Sequence, residues 1–166
     1  MIGNLLRGAA AGAAGTAALN AATYLDMVIR GRGASSTPEQ AIEAVSDRLG
    51  IDIPGEGETR DNRVQALGAL GGLATGVAVG AFLGIASSMG WRPGLLGGSL
   101  TAGSMAMVGA NGPMTRIGIT DPRQWSAGEW ASDVIPHLVY GVMTYATLDA
   151  TQPPPADRLR HADRGS

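Results

Sequence analysis

The sequence predicts an all-α fold, an integral membrane bundle of about four glycine- and alanine-rich transmembrane helices with a short amphipathic helix in the first loop. The first observation is that charged residues are absent from four runs, residues 8–25, 64–91, 93–115 and 134–148. A helix needs roughly 20 apolar residues to cross the hydrocarbon core of a bilayer, so these runs fit four spans. The second observation is a regular spacing of glycines inside them, although a helical glycine costs about 1 kcal/mol relative to alanine in water.

The chain of 166 residues is expected to form one domain and a tail. The domain covers residues 1–151, with spans at about 5–28, 64–90, 93–111 and 130–149 and a loop helix at about 38–49. Residues 152–166 contain three consecutive prolines and a charged segment, which is typical of a disordered tail. A soluble alanine-rich bundle is the alternative, because the mean hydropathy is only +0.09. The 26 glycines favour the membrane, since they would weaken helices in water.

Composition excludes several classes of function. The formal net charge of -2 is too small to indicate an electrostatic partner, and no nucleic acid is predicted to bind. The twelve basic residues are all arginine, which is typical of a high-GC bacterial codon bias and favours the bacterial inner membrane. The absence of cysteine removes disulfides and thiol chemistry.

The second span carries small residues at an unbroken spacing of four. These are the glycines Gly68, Gly72, Gly76, Gly80 and Gly84. Similar rows of Gly, Ala and Thr run through the first and third spans. Small residues let the backbones of membrane helices approach closely, so the row predicts helix packing of the glycine-zipper kind.

The loop helix has its own start and stop signals. Thr37 is the predicted N-cap, followed by Pro38, by Gln40 as the capping-box partner and by Gly50 as terminator. One face of this helix is apolar and the opposite face is acidic. An acidic face disfavours contact with anionic lipid, so the helix is expected to dock onto its own bundle.

Both ends of the connection between spans 3 and 4 are marked by sequence signals. Residues 111–113, Asn-Gly-Pro, predict that span 3 stops there. Ser126 and Glu129 form a predicted capping box, and Trp125 and Trp130 are placed to act as its hydrophobic staple. Pro136 inside the last span removes one backbone hydrogen bond and predicts a local kink.

A candidate polar site lies on the last span. Asp133 and His137 are one turn apart and Tyr140 follows three residues later, so the three share one face. Asn20, in the middle of the first span, is the fourth candidate. Ionisable groups within a membrane are costly and mark functional sites by default, here a proton or ion site. The alternative is structural, with His137 bonded to a carbonyl near Pro136. No catalytic, cofactor-binding or metal-ligating residues are predicted, because the corresponding motifs are missing.

Three short segments, residues 21–25, 111–114 and 136–141, resemble those of a known family. The chain is similar to the YagU-type group of small bacterial inner-membrane proteins, over about residues 5–150. The resemblance implies an integral membrane protein of four or so helices. It carries over no catalytic residues, because the group has no established activity.

The leading functional hypothesis is a non-enzymatic integral membrane protein with a role in the envelope or in stress, surrounded by the lipid bilayer and associating with itself or with another membrane protein. The alternative is a small channel or transporter subunit with a proton or ion site at Asp133 and His137. A membrane enzyme ranks third. Without a cofactor motif, no cofactor is expected.

Overall fold

The computed structural model describes residues 1–152, and within them the chain forms five α-helices and one short 3-10 turn. The helices are α1 (Ile2–Arg30), α2 (Thr37–Leu49), α3 (Glu58–Ser88), α4 (Gly94–Arg116) and α5 (Ala127–Thr151), with the 3-10 turn at Pro122–Gln124. The described residues include no strand, so the all-α class is confirmed. The predicted tail, apart from Gln152, lies outside the described residues.

The four long helices, α1, α3, α4 and α5, form an up-and-down bundle. Gly8 of α1 lies against Gly80 of α3 while Gly12 lies against Gly76, so these two helices are antiparallel. Helix α5 runs antiparallel to both α1 and α4 and packs between them. The contact between α3 and α4 is much smaller than the other three. The order around the bundle is therefore α3, α1, α5, α4.

Two of the local predictions are wrong. Helix α4 does not stop at residues 111–113 but continues through Pro113 to Arg116. Proline fixes a φ angle that a helix accepts, and this close to the end it removes only one backbone bond. Helix α2 begins one residue earlier than predicted, with Ser36 as N-cap and no side-chain cap. Gln40 donates to the Ser36 hydroxyl at 2.9 Å instead of closing a capping box.

The predicted entrance to α5 is confirmed. The Ser126 hydroxyl accepts a hydrogen bond from the Glu129 backbone N–H at 3.3 Å, and the Glu129 carboxylate accepts one from the Ser126 N–H at 2.7 Å. The rings of Trp125 and Trp130 meet edge to face, with centroids 5.0 Å apart. These contacts satisfy two backbone donors and fix the direction from which the chain enters α5.

Helix α2 docks onto the first part of α3. The Arg60 guanidinium donates two hydrogen bonds of 2.5 Å to the Glu43 carboxylate, and it holds the pKa of that carboxyl below its usual value. Pro38 lies against Gly68, whose missing side chain makes room for it. No residue of α2 is fully buried, so the helix is held at the surface of the bundle.

The bundle is filled mainly by small side chains, and most of its large apolar side chains lie on the outside. Among residues 1–152, the large apolar side chains with less than 2% exposure are Tyr140, Leu83 and Leu148. Large side chains from all four long helices are instead roughly half exposed or more, among them Leu25, Leu70, Phe82, Val108 and Val142. The described part of the protein thus has a close-packed, glycine-rich interior and an apolar outer surface.

Hydropathy identifies fewer spans than the charge-free runs do. Among the described helices, Glu58–Ser88 alone is both long and apolar enough to cross a membrane by composition. One such helix is weak evidence for a membrane protein, and the prediction of four spans is not confirmed by it. In α1 and α4 the glycines, together with polar residues such as Asn20 and Asn111, lower the average.

Candidate functional site

The five glycines of the predicted row lie in three different environments in the structure. Gly76, Gly80 and Gly84 face α1, and a Cβ atom on Gly80 would lie 2.6 Å from both the N and the Cα of Gly12. Gly68 faces α2 instead. Gly72 has nothing within 4 Å of its Cβ position. Three of the five glycines therefore bring α1 and α3 into backbone contact.

A layer of buried residues fills the middle of the bundle. The Tyr140 hydroxyl of α5 donates a 2.7 Å hydrogen bond to the Gly76 carbonyl oxygen of α3. Thr16 and Thr144 are buried beside it, and Gly15 of α1 leaves the space that the tyrosine ring and Thr144 occupy. We call these five residues the central layer.

Between the central layer and one end of the bundle lies an open pocket of about 800 Å³. Its walls come from the last turns of α1 and α4, the first turns of α5, the start of α2, and the connections that precede α2 and α5. The residues that line it and that carry the argument below are Arg30, Arg32, Asn111, Ser132, Asp133 and His137. The pocket faces the end of the bundle at which the α1–α2 and α4–α5 connections lie.

Asp133 and His137 lie together in this pocket. The His137 Nδ1 atom is 2.7 Å from the Asp133 backbone oxygen and 3.6 Å from its carboxylate Oδ1. A carbonyl oxygen can only accept, so Nδ1 carries the proton. The Asn111 amide of α4 donates to the other carboxylate oxygen at 2.9 Å. This amide, which the sequence indicated only as part of a turn, ties α4 to α5.

A second polar cluster at the pocket mouth joins the end of α1 to the start of α5. Asp26 accepts a hydrogen bond from Arg30 Nη2 at 3.0 Å and another from Arg32 Nε at 2.5 Å, and both pairs are salt bridges. Arg30 also contacts the Ser132 hydroxyl and donates to the Gly128 carbonyl at 3.3 Å. Sequence reasoning missed this cluster. The spacing of four between Asp26 and Arg30 was a local signal for their pairing, but the contacts to Gly128 and Ser132 join residues about a hundred positions apart.

The other two candidate residues do not join the pair. Tyr140 is fully buried in the central layer, where its hydroxyl bonds to α3 rather than to His137. Asn20 is exposed on α1 and does not line the pocket. The structure thus brings Asp133 and His137 together and adds Asn111 to them.

The arrangement is suited to binding a small polar molecule or ion. It offers charged and neutral donors and acceptors in one open cavity. Within residues 1–152, no group of three or more His, Cys, Asp or Glu side chains is placed to hold a metal ion. In comparisons with known proteins, no family model, no curated protein and no solved structure matched the chain. The similarity to the YagU-type group stays a prediction.

Proposed function

We propose that the protein is a non-enzymatic integral membrane protein of the bacterial inner membrane, in which α1, α3, α4 and α5 cross the bilayer. The observation that carries this proposal is the distribution of side chains, small inside and large and apolar outside. Lipid gives helices no hydrophobic drive to associate, so membrane helices pack through small residues and close contact. In water the same apolar surface would favour aggregation.

Helix lengths support the proposal. The shortest of the four, α4, has 23 residues. At a rise of 1.5 Å per residue it is about 35 Å long, and a hydrocarbon core is about 30 Å thick. The moderate hydropathy of the other three helices comes largely from their polar residues, such as Asn20 in α1, Asn111 in α4 and Asp133 and His137 in α5.

The pocket supports a binding role at one side of the membrane. It lies at the end of the bundle that carries the α1–α2 and α4–α5 connections, and none of the five central-layer residues lines it. Assembly with a second copy or with another membrane protein would use other surfaces than these glycine contacts, because Gly76, Gly80 and Gly84 are already covered within the chain.

Membrane fractionation tests the proposal. The full chain should stay with the membrane pellet after extraction with alkaline carbonate, because four spans cannot be released without dissolving the bilayer. It should be released by detergent. Complete recovery in the carbonate supernatant would show a peripheral or soluble protein and would contradict the proposal.

The alternative function is a proton or ion pathway that uses Asp133 and His137. What favours it is that both side chains line the open pocket. If this is the function, reconstituted vesicles should show a pH-dependent flux that His137→Gln abolishes, since glutamine cannot exchange a proton. The matched control is His161→Gln, which changes the other histidine of the chain. Absence of flux in the wild-type protein would rule the alternative out.

A further inference from the structure

We propose that the pocket binds a small zwitterion, a molecule that carries both an ammonium group and a carboxylate or phosphate. The proposal deepens the binding role proposed above and rests on it. It comes from two charges of opposite sign that the described residues leave unbalanced within the same cavity.

The positive charge lies at the mouth. Arg30 and Arg32 share one carboxylate, that of Asp26. Arg30 also contacts Gly128 and Ser132 of α5. Within residues 1–152, Arg32 donates to Asp26 and to the neighbouring Gly33 carbonyl and to no other group. Two guanidinium groups on one carboxylate leave one net positive charge. Arginine presents a planar set of donors that matches a carboxylate or phosphate.

The negative charge lies deeper in the pocket. The side chain of Asp133 is only 23% exposed, and Asn111 gives it a neutral hydrogen bond. The Nδ1 atom of His137 hydrogen-bonds to the Asp133 backbone oxygen at 2.7 Å, and the carboxylate Oδ1 lies farther from it, at 3.6 Å. No arginine among residues 1–152 forms an ion pair with it. A partly buried carboxylate that no arginine pairs with is costly, and a bound ammonium group would lower that cost.

The two charges are close enough to act on one ligand. Ser132, which contacts Arg30 and Asp26, directly precedes Asp133 on α5, and both residues line the pocket. The other acidic group of the lining, Glu129, keeps its charge but accepts the Ser126 backbone N–H at the N-terminus of α5, where the helix dipole stabilises a carboxylate. A cation alone would leave the arginines unmatched, and an anion alone would leave Asp133 unmatched. A zwitterion satisfies both, whether it is a free amino acid or the headgroup of an aminophospholipid.

Calorimetric titration of the full-length protein in detergent tests this inference. The probes are γ-aminobutyrate and phosphoethanolamine, with ethanolamine, butyrate and inorganic phosphate as single-charge controls. We expect at least one zwitterion to bind at least about tenfold more tightly than any single-charge probe. Asp133→Asn and Arg32→Gln should each weaken that binding by about tenfold or more. Asp149→Asn and Arg123→Gln change the same residue types outside the pocket and should leave it unchanged.

Nanodiscs distinguish the two sources of the ligand. Weaker phosphoethanolamine binding in discs that contain phosphatidylethanolamine than in discs of phosphatidylglycerol, whose headgroup carries only a negative charge, would assign the site to a lipid headgroup. Equal binding would assign it to a soluble zwitterion. The proposal is overturned if no zwitterion binds, or if a single-charge probe binds as tightly as the best zwitterion. It is also overturned if Asp133→Asn and Arg32→Gln both leave the binding of the zwitterion unchanged. None of these results would alter the carbonate extraction, so the membrane assignment is judged separately.

Discussion

Gly80→Ala is expected to destabilise the protein by about 3 kcal/mol, the upper end of the usual cost of overpacking. The new methyl group would lie 2.6 Å from the N and Cα of Gly12 and against the Gly8 carbonyl oxygen. These are backbone atoms and cannot rotate away, so α1 and α3 would have to separate. Unfolding in detergent micelles, followed by circular dichroism, measures the loss.

The same row provides a matched control. Gly72→Ala adds the same methyl group at a position with nothing within 4 Å. This change should be neutral or should stabilise the helix by up to about 1 kcal/mol, because alanine is the better helix former. If both variants unfolded alike, the backbone contact between α1 and α3 would not contribute to stability as described.

Tyr140→Ala is expected to cost about 3–5 kcal/mol, the range for removing a buried aromatic side chain. The tyrosine is completely buried, fills the space beside Gly15 and bonds to Gly76. Tyr140→Phe removes only the hydrogen bond and should cost about 1 kcal/mol. The same unfolding measurement on both variants separates packing from hydrogen bonding.

Tyr24→Ala is the control for this pair. Tyr24 lies on the same bundle but is 63% exposed, so its removal should change stability by less than about 1 kcal/mol. A loss equal to that of Tyr140→Ala would mean that burial in the central layer does not set the cost.

Much of the fold could be predicted from local patterns. The five helices follow from charge-free runs and capping signals. The Ser126–Glu129 capping box could be predicted because its partners are three residues apart, and the structure confirms it. Pro113 shows the limit of such signals. A proline ends a helix only when the lost bond outweighs the packing of that turn, and packing cannot be seen in the local sequence.

The glycine spacing marked a row of small residues but did not reveal what each one faces. Gly72 and Gly80 occupy equivalent positions in the row, yet one is open and the other touches α1. The difference depends on where α1 and α2 lie against α3, which is a tertiary property.

The candidate site was predicted only in part, for the same reason. Asp133 and His137 were found because they are one turn apart. Asn111 and Arg30 were missed because their partners are distant in sequence. A polar residue inside a charge-free run, such as Asn111, is the one signal that could have pointed to the site.

The central claim is that four helices cross the bilayer, with the pocket opening at one side. The chain has no cysteine, so single cysteines at Gly3, Ser36, Arg92 and Thr120 can be labelled with a membrane-impermeant thiol reagent on intact and opened vesicles. Ser36 and Thr120, at the pocket end, should label from one side, and Gly3 and Arg92 should label from the other. Labelling of all four positions from the same side would contradict the central claim.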